Sequence, residues 1–463
     1  MINIYEYFIT ILKLIKEKNL LSIFGIRILF IYSSIIYNGY GYINGIKNSD
    51  DYTCNINLNL EENNIDFYLQ HICLLGLSLL NETFNSKELY DKIVKESDEL
   101  LVNDNYKEFK EKYLNELNQI EIELNDYYYL RDKDGWHDSN EQIKIINSQN
   151  KINLDDDTLW EKVNLTKWTP IANQKMVGGN WGKLKGIIDK NIIDKIENLI
   201  KLEYNKINLA DEHNQILETS INYSNDLIAQ AEFWLEIDDN FTIAGFYNYI
   251  LINYFQNNPN DIFLQIKLFH ILNISIFQTS IIVWKIKYDL QDPRPIQIIR
   301  GSQISLPIKY YFGESNTNYW LPFKNYENYL PSYPDYPSDL SAISSTASFI
   351  ISKFLSENIA DLNIIIDKEF ESIYSDNKSN LDNNDLNNKY NLELIKIQKK
   401  SSKIIKNIPD NDIIIKNNTW NDLALNIGNS GFTSGLSTNF SNTNGHKIGI
   451  EIGKVIYDYF YNP

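Results

Sequence analysis

A lysine, six intervening residues and an Arg-Pro pair form the strongest chemical signal in the chain, in Lys287-Tyr288-Asp289-Leu290-Gln291-Asp292-Pro293-Arg294-Pro295. An ammonium point charge beside a guanidinium fork is a sensible pair for gripping a tetraoxo anion. The same two residues also suit a plain helix end, where positive charge complements the helix dipole. Further on, Tyr333-Pro334-Asp335-Tyr336-Pro337-Ser338-Asp339-Leu340 leads into a helix, with Ser338 as N-cap and an acid in the first turn. A third segment, Gly428-Asn429-Ser430-Gly431-Phe432-Thr433-Ser434-Gly435-Leu436-Ser437, carries a hydroxyl at Ser437 but no general base beside it in sequence. His71, His137, His213, His270 and His446 stand in no ligand spacing, and Cys54 and Cys73 give neither a metal pattern nor a disulfide framework. No metal site is expected. His446 reads as a surface or capping residue of the last helix, and His270 as a satisfied core residue.

Taken in order, the three segments resemble the vanadium haloperoxidase and PAP2 acid phosphatase family. The resemblance implies a pocket for phosphate or vanadate held by one lysine and two arginines. A serine and a glycine amide add hydrogen bonds at a helix N-terminus. One histidine is the acid/base, and a second is the nucleophile toward phosphorus or the nitrogen ligand of vanadium. The second family element reads Pro-Ser-Gly-His. Here Ser338 is kept, Asp339 stands for the glycine and Leu340 for the acid/base histidine. The third element reads Ser-Arg, five residues, His. Here Gly431 stands for the arginine and Ser437 for the histidine, while Gly435 matches. Leucine has no titratable group and serine supplies no imidazole nitrogen.

By this resemblance the residual anion pocket is Lys287, Arg294, Ser338 and Gly435, with no catalytic residues and with vanadate binding lost. Asp339 is expected to act as a plug, its carboxylate replacing the anion between Lys287 and Arg294, since a buried Arg needs a partner. Weaker echoes run from residue 22 to 460: Arg27 to Asn44, Trp168-Thr169-Pro170 with Asn180-Trp181-Gly182, and Ala231-Glu232-Phe233-Trp234. The implied architecture is all-α, with helical bundles forming one haloperoxidase-like domain over residues 1–463. The implied function is a catalytically inactive relative with a structural or interaction role. The alternatives are an oxyanion-binding enzyme, a weak phosphatase or haloperoxidase with an altered site, and a plain helical binding protein.

The elements that must position these residues read as helices. Apolar residues recur at three- and four-residue spacing over 5–17, 22–38, 65–81, 86–97, 105–127, 192–206, 210–236, 242–256, 260–288, 340–357 and 445–460. Segment 260–288 is apolar on nearly all sides, which predicts a central buried helix delivering Lys287 at its end. Residues 131–160 read as a polar loop and 372–393 as a low-complexity loop. Seven of the eleven prolines fall between 293 and 337, so 301–337 is expected to be a long ordered loop.

The net charge of −18 disfavours nucleic acid and anionic membrane as partners, which leaves protein partners or self-association. Only four arginines (Arg27, Arg131, Arg294, Arg300) stand beside thirty-nine lysines, with abundant Asn, Ile and Tyr. That is the bias of an AT-rich genome, such as a large DNA virus or protist, and a virion component is one setting for the inactive reading. The apolar run 20–46 carries Arg27, serines and Gly/Asn breaks, so a buried helix is expected rather than a membrane span. No signal peptide is expected, and the compartment stays open.

Overall fold

The computed structural model describes residues 3–44, 60–61, 64–132, 157–171, 174–258, 261–302, 304–323, 330–362, 364–366 and 390–461. The chain reads from sequence as one domain. Its residues gather into two compact units, 1–134 with 240–277 and 369–379, and 135–239 with 278–368 and 380–463.

The first unit is helical. It holds α1 (Ile4–Glu17), α2 (Ser22–Asn44), α3 (Ile65–Phe84), α4 (Lys87–Val102), α5 (Asp104–Lys112) and α6 (Leu114–Asp132). Side-chain oxygens of Asn3, Ser86 and Asn103 cap α1, α4 and α5, satisfying amides that each helix start leaves unpaired. The 105–127 segment divides at Tyr113 into two helices rather than running as one. Buried Arg27 donates to the Arg131 carbonyl, and the Arg131 guanidinium lies 5.3 Å from the Phe30 ring. Buried His270 stacks on Tyr37 at 4.3 Å, the satisfied core position expected of it.

In the remaining chain come α7 (Asp157–Trp160), α8 (Lys190–Tyr204), α9 (Leu209–Ile221), α10 (Asn225–Asn257), α11 (Ile262–Leu290), α12 (Pro295–Gly301), α13 (Asp339–Phe354), α14 (Trp420–Thr433) and α15 (Asn439–Tyr461). Two readings change here. The segment 210–236 breaks after Ile221, and the next helix then runs unbroken to Asn257. Helices α12 and α14 were not anticipated. Gly428 and Gly431 lower the helix propensity of α14, and its apolar stripe (Trp420, Leu423, Ala424, Ile427) is only two turns long.

The proline-rich stretch is not all loop. It contains the antiparallel hairpin β1 (Pro307–Tyr310) and β2 (Gly313–Asn316). A second sheet of β3 (Ile365–Ile366), β4 (Tyr390–Asn391), β5 (Leu394–Ile397) and β6 (Ile413–Lys416) is antiparallel throughout. Residues 133–156 and 372–389, most of the two stretches read as loops, lie outside the described residues. The described ends of those stretches are helical (Asp132, 157–160) or extended (Tyr390–Asn391).

Helices α2 and α11–α12 contain windows (Ser22–Ile43 and Ile262–Gly301) long and apolar enough to cross a membrane by length and composition. Each such window is 94% buried within the fold.

Small residues bring α13 and α15 together. A Cβ on Gly445 would meet the Ser338 carbonyl oxygen at 2.4 Å, and one on Gly449 the Ala342 carbonyl oxygen at 2.2 Å. Thr346 donates to the Gly449 carbonyl at 2.9 Å and the Ser338 amide to the Ser441 carbonyl at 3.1 Å. The C-terminal end of α11 is held likewise. Trp181 Nε1 donates to Ser280 at 2.9 Å, and a Cβ on Gly182 would strike the Lys285 backbone at 2.5 Å. The Trp168 amide donates to the Gln291 carbonyl at 2.5 Å. These contacts give the Trp168 and Trp181-Gly182 echoes a physical role: they lock the segment that carries Lys287.

Candidate functional site: a pocket closed by a carboxylate

Lys287 lies in the last turn of α11 and is fully buried. Its ammonium donates to the carbonyls of Asp335 (2.6 Å) and Pro334 (3.2 Å) and sits 3.1 Å from Asp339 Oδ1. Burial pushes its pKa down, and nearby Asp339 and Asp335 pull it back up against Arg294. Arg294 is the N-cap residue of α12. Its Nε donates to the Tyr333 carbonyl (3.0 Å), while its terminal nitrogens reach the carbonyls of Leu436 (3.0 Å) and Pro334 (3.3 Å). The Tyr333 ring lies under both cations, 4.7 Å from the guanidinium carbon and 5.3 Å from the ammonium.

The acid that meets Arg294 is Asp335, not Asp339. Arg294 Nη1 stands 3.5 Å from Asp335 Oδ1. The same carboxylate accepts from Ser437 Oγ (2.5 Å), Ser441 Oγ (3.4 Å) and the Thr438 amide (3.0 Å). Asp335 is 1% exposed and is ringed by donors as a bound oxyanion would be. The expectation that Asp339 alone would face both cations is corrected. Asp339 holds Lys287 from the first turn of α13, and Asp335 holds Arg294 from four residues earlier.

Other expected residues have local duties. The Ser338 hydroxyl accepts from the Ser341 amide at 3.3 Å and caps α13, the N-cap role readable from sequence. Gly435 sits at φ +76°, past the end of α14, where a Cβ would strike the Trp320 ring at 2.8 Å. Its amide donates to the Phe432 carbonyl at 2.9 Å, so it turns the chain, and it lines one small cavity together with Arg294. Of the four positions expected to differ from the resembled motifs (Asp339, Leu340, Gly431 and Ser437), Leu340, Gly431 and Ser437 come together. A Cβ built on Gly431 would lie 3.6 Å from Ser437 Cβ and 4.0 Å from Leu340 Cδ2.

Sequence reasoning missed three groups. Asp292 is buried and accepts from the Tyr204 hydroxyl at 2.5 Å, and its carbonyl accepts from the Asp335 amide at 3.0 Å. Burial first, then the neighbouring Asp335 charge, drives its carboxyl pKa far up. His213 on α9 is buried, with Nδ1 on the Leu209 carbonyl and Nε2 lacking a partner among the described residues. Burial lowers its pKa, and the Asp335 carboxylate within electrostatic range pulls it upward. Asp335 is the third: a buried arginine demands a carboxylate, but the sequence offers Asp335 and Asp339 four residues apart and does not choose between them. Nothing in sequence placed α9 near this carboxylate.

Helical bundles here support a buried cation pair, Lys287 at the end of one helix and Arg294 at the N-terminus of another. Residues 267–462 match the VCPO second helical-bundle domain. Three solved structures share the fold. A bacterial vanadium-dependent iodoperoxidase aligns at TM-score 0.61 and 13% identity, covering 99% of this chain and 97% of that one. The holo form of a bacterial vanadium-dependent chloroperoxidase gives 0.61 and 12%, covering 96% and 93%. The apo form gives 0.63 and 12%, covering 96% and 94%. A search of curated protein sequences gives no significant match. The C-terminal part of the chain is thus similar to that domain, and the whole chain shares the fold of these solved structures.

Proposed function

We propose that the protein is a catalytically inactive haloperoxidase-fold protein, acting through protein partners or self-association in a structural or interaction role. The observation that carries this reading is the Asp335 carboxylate. Arg294, Ser437, Ser441 and the Thr438 amide converge on it, and Lys287 is held by Asp339 and two carbonyls. The residues present do not fit vanadate. A buried anion takes the donors that an oxyanion would need, and two carboxylates oppose a third negative group at this distance. Leu340 and Ser437 supply no imidazole where the family resemblance implies one. The AT-rich composition is compatible with a virion component.

The test is calorimetric. Titration with orthovanadate should show no binding at millimolar or better affinity, and purified, vanadate-loaded protein should not turn over bromide with peroxide. Either activity would overturn the reading. Sedimentation of the pure chain over a concentration series tests self-association directly.

One observation favours a second reading, an altered oxyanion-handling enzyme. The Ser437 hydroxyl donates to a carboxylate at 2.5 Å, which is a nucleophile–base arrangement. Against it, Ser437 is 5% exposed and its carboxylate partner is already paired with a guanidinium. Hydrolysis of p-nitrophenyl phosphate that disappears in Ser437→Ala would support this second reading.

A further inference from the structure

A separate cavity of about 240 Å³ lies among α13, α14 and α15. One wall is a single stripe of α13, with Ser345, Ser348, Phe349 and Ser352 at i, i+3, i+4 and i+7, followed by Lys353 and Glu357. The second wall is the start of α14, and the third is His446 with Ile450, one turn apart on α15.

The chemistry of this lining is specific. Ser345 Oγ donates to the Ser341 carbonyl at 2.7 Å and stands 2.6 Å from His446 Nδ1. Its single proton serves either that carbonyl or Nδ1, so Nδ1 is engaged by Ser345 in either tautomer of the ring. With Nδ1 occupied by Ser345, Nε2 makes no hydrogen bond among the described residues, and in the Nδ1–H tautomer it offers a lone pair to a ligand. Burial lowers the pKa of His446, which favours the neutral ring.

Donors stand at the start of α14. The Thr419 hydroxyl and the Asp422 carboxylate close a capping box on each other's backbone amides. The amides of Trp420 and Asn421, the first two of α14, keep no partner among the described residues. Lys353 and Glu357 line the same space, and neither makes an ion pair among the described residues. Phe349, Ala424 and Ile450 supply an apolar face.

The geometry points to a binding site for a small zwitterion, a free α-amino acid, at this cavity. Its carboxylate would take the Lys353 ammonium and the free amides of α14. Its ammonium would take His446 Nε2 and the Glu357 carboxylate. Its side chain would lie on Phe349, Ala424 and Ile450. A simple anion would have to face Glu357, and a simple cation Lys353. A metal is not matched either: no group of three His, Cys, Asp or Glu side chains placed to hold one occurs among the described residues. The volume sits below the ~300–1,000 Å³ usual for drug-sized ligands, which suits a metabolite of amino-acid size.

The experiment uses the full chain labelled with ¹⁵N-histidine, the His446 signals being assigned with His446→Gln. Free L-amino acids are added one at a time, and the strongest binder is compared by calorimetry with its deaminated acid and its decarboxylated amine. At least one amino acid should shift the Nε2 resonance saturably, and both single-charge analogues should bind at least about tenfold more weakly. Lys353→Met and Glu357→Gln, both on the surface, should each weaken binding by about tenfold with melting unchanged. The proposal is overturned if no amino acid shifts His446. It is also overturned if an analogue matches the amino acid, or if both variants bind like the parent.

Discussion

At the scale of residues, two carboxylates divide the work of balancing two buried cations, and they should differ in consequence. Asp335 is 1% exposed and partners Arg294, whereas the Asp339 side chain keeps 15% of its surface in solvent. Removing the first strands a guanidinium in the interior, which typically costs about 3–5 kcal/mol. Asp335→Ala should therefore lower unfolding free energy in urea by that order, and Asp339→Ala by clearly less. Equal losses would show that the part-exposed carboxylate of Asp339 matters to buried Lys287 as much as Asp335 does to Arg294. Asp292 makes a second prediction. Its folded-state carboxyl pKa is raised from the ordinary 3.8 to about 8, by burial and by Asp335. The folded form thus holds a proton that the unfolded form has released, so stability falls as pH rises from about 4 to about 8 and then levels. Melting temperature should drop between pH 7 and 9, and Asp292→Asn should flatten that drop. A parent profile already flat over this range would remove Asp292 as the cause.

At the scale of elements, close approach of α13 and α15 sets the position of Ser338, Asp339 and Ser441 together. Gly449 tolerates no Cβ because the Ala342 carbonyl, a rigid backbone atom, would be 2.2 Å away. At Gly453 the nearest atom is Phe349 Cδ1 at 2.9 Å, which a side-chain rotation can move. Gly449→Ala should cost about 1–3 kcal/mol in chemical denaturation. Gly453→Ala should be near neutral, since better helix propensity returns up to about 1 kcal/mol.

The same elements show what could be read from sequence. Helix α11 was plain because its apolar residues run the full length, and α13 was plain because Ser338 marks its start. Helix α14 was hidden because Asn, Gly and Ser dilute a short stripe. The strands β3–β6 are two to four residues long, too short for alternation to register. At the site, the cation pair and the segments that carry Ser338 and Ser437 were visible by their order along the chain. The true partner of Arg294 was not, because Asp335 and Asp339 lie one helical turn apart in sequence and only packing separates their targets.

At the scale of the whole molecule, the fold is shared with solved structures at only 12–13% identity. Bundles of this kind are specified by buried apolar stripes and close small-residue contacts, neither of which depends on the pocket's chemistry. The acidic balance of 61 Asp and Glu against 43 Lys and Arg should also rule out appreciable binding to duplex DNA. A gel-shift titration at physiological salt should show none.

Because Asp335 belongs to the same chain as the Arg294 guanidinium that it neutralises, this counter-ion can be neither diluted nor washed away. A fold that borrowed phosphate would gain RT ln(1 + [L]/Kd), about 2.7 kcal/mol at a hundredfold excess over Kd. Here that increment should vanish. The protein should melt at one temperature in phosphate-free buffer and in concentrated phosphate of matched ionic strength, and scanning calorimetry in the two solutions will read the difference.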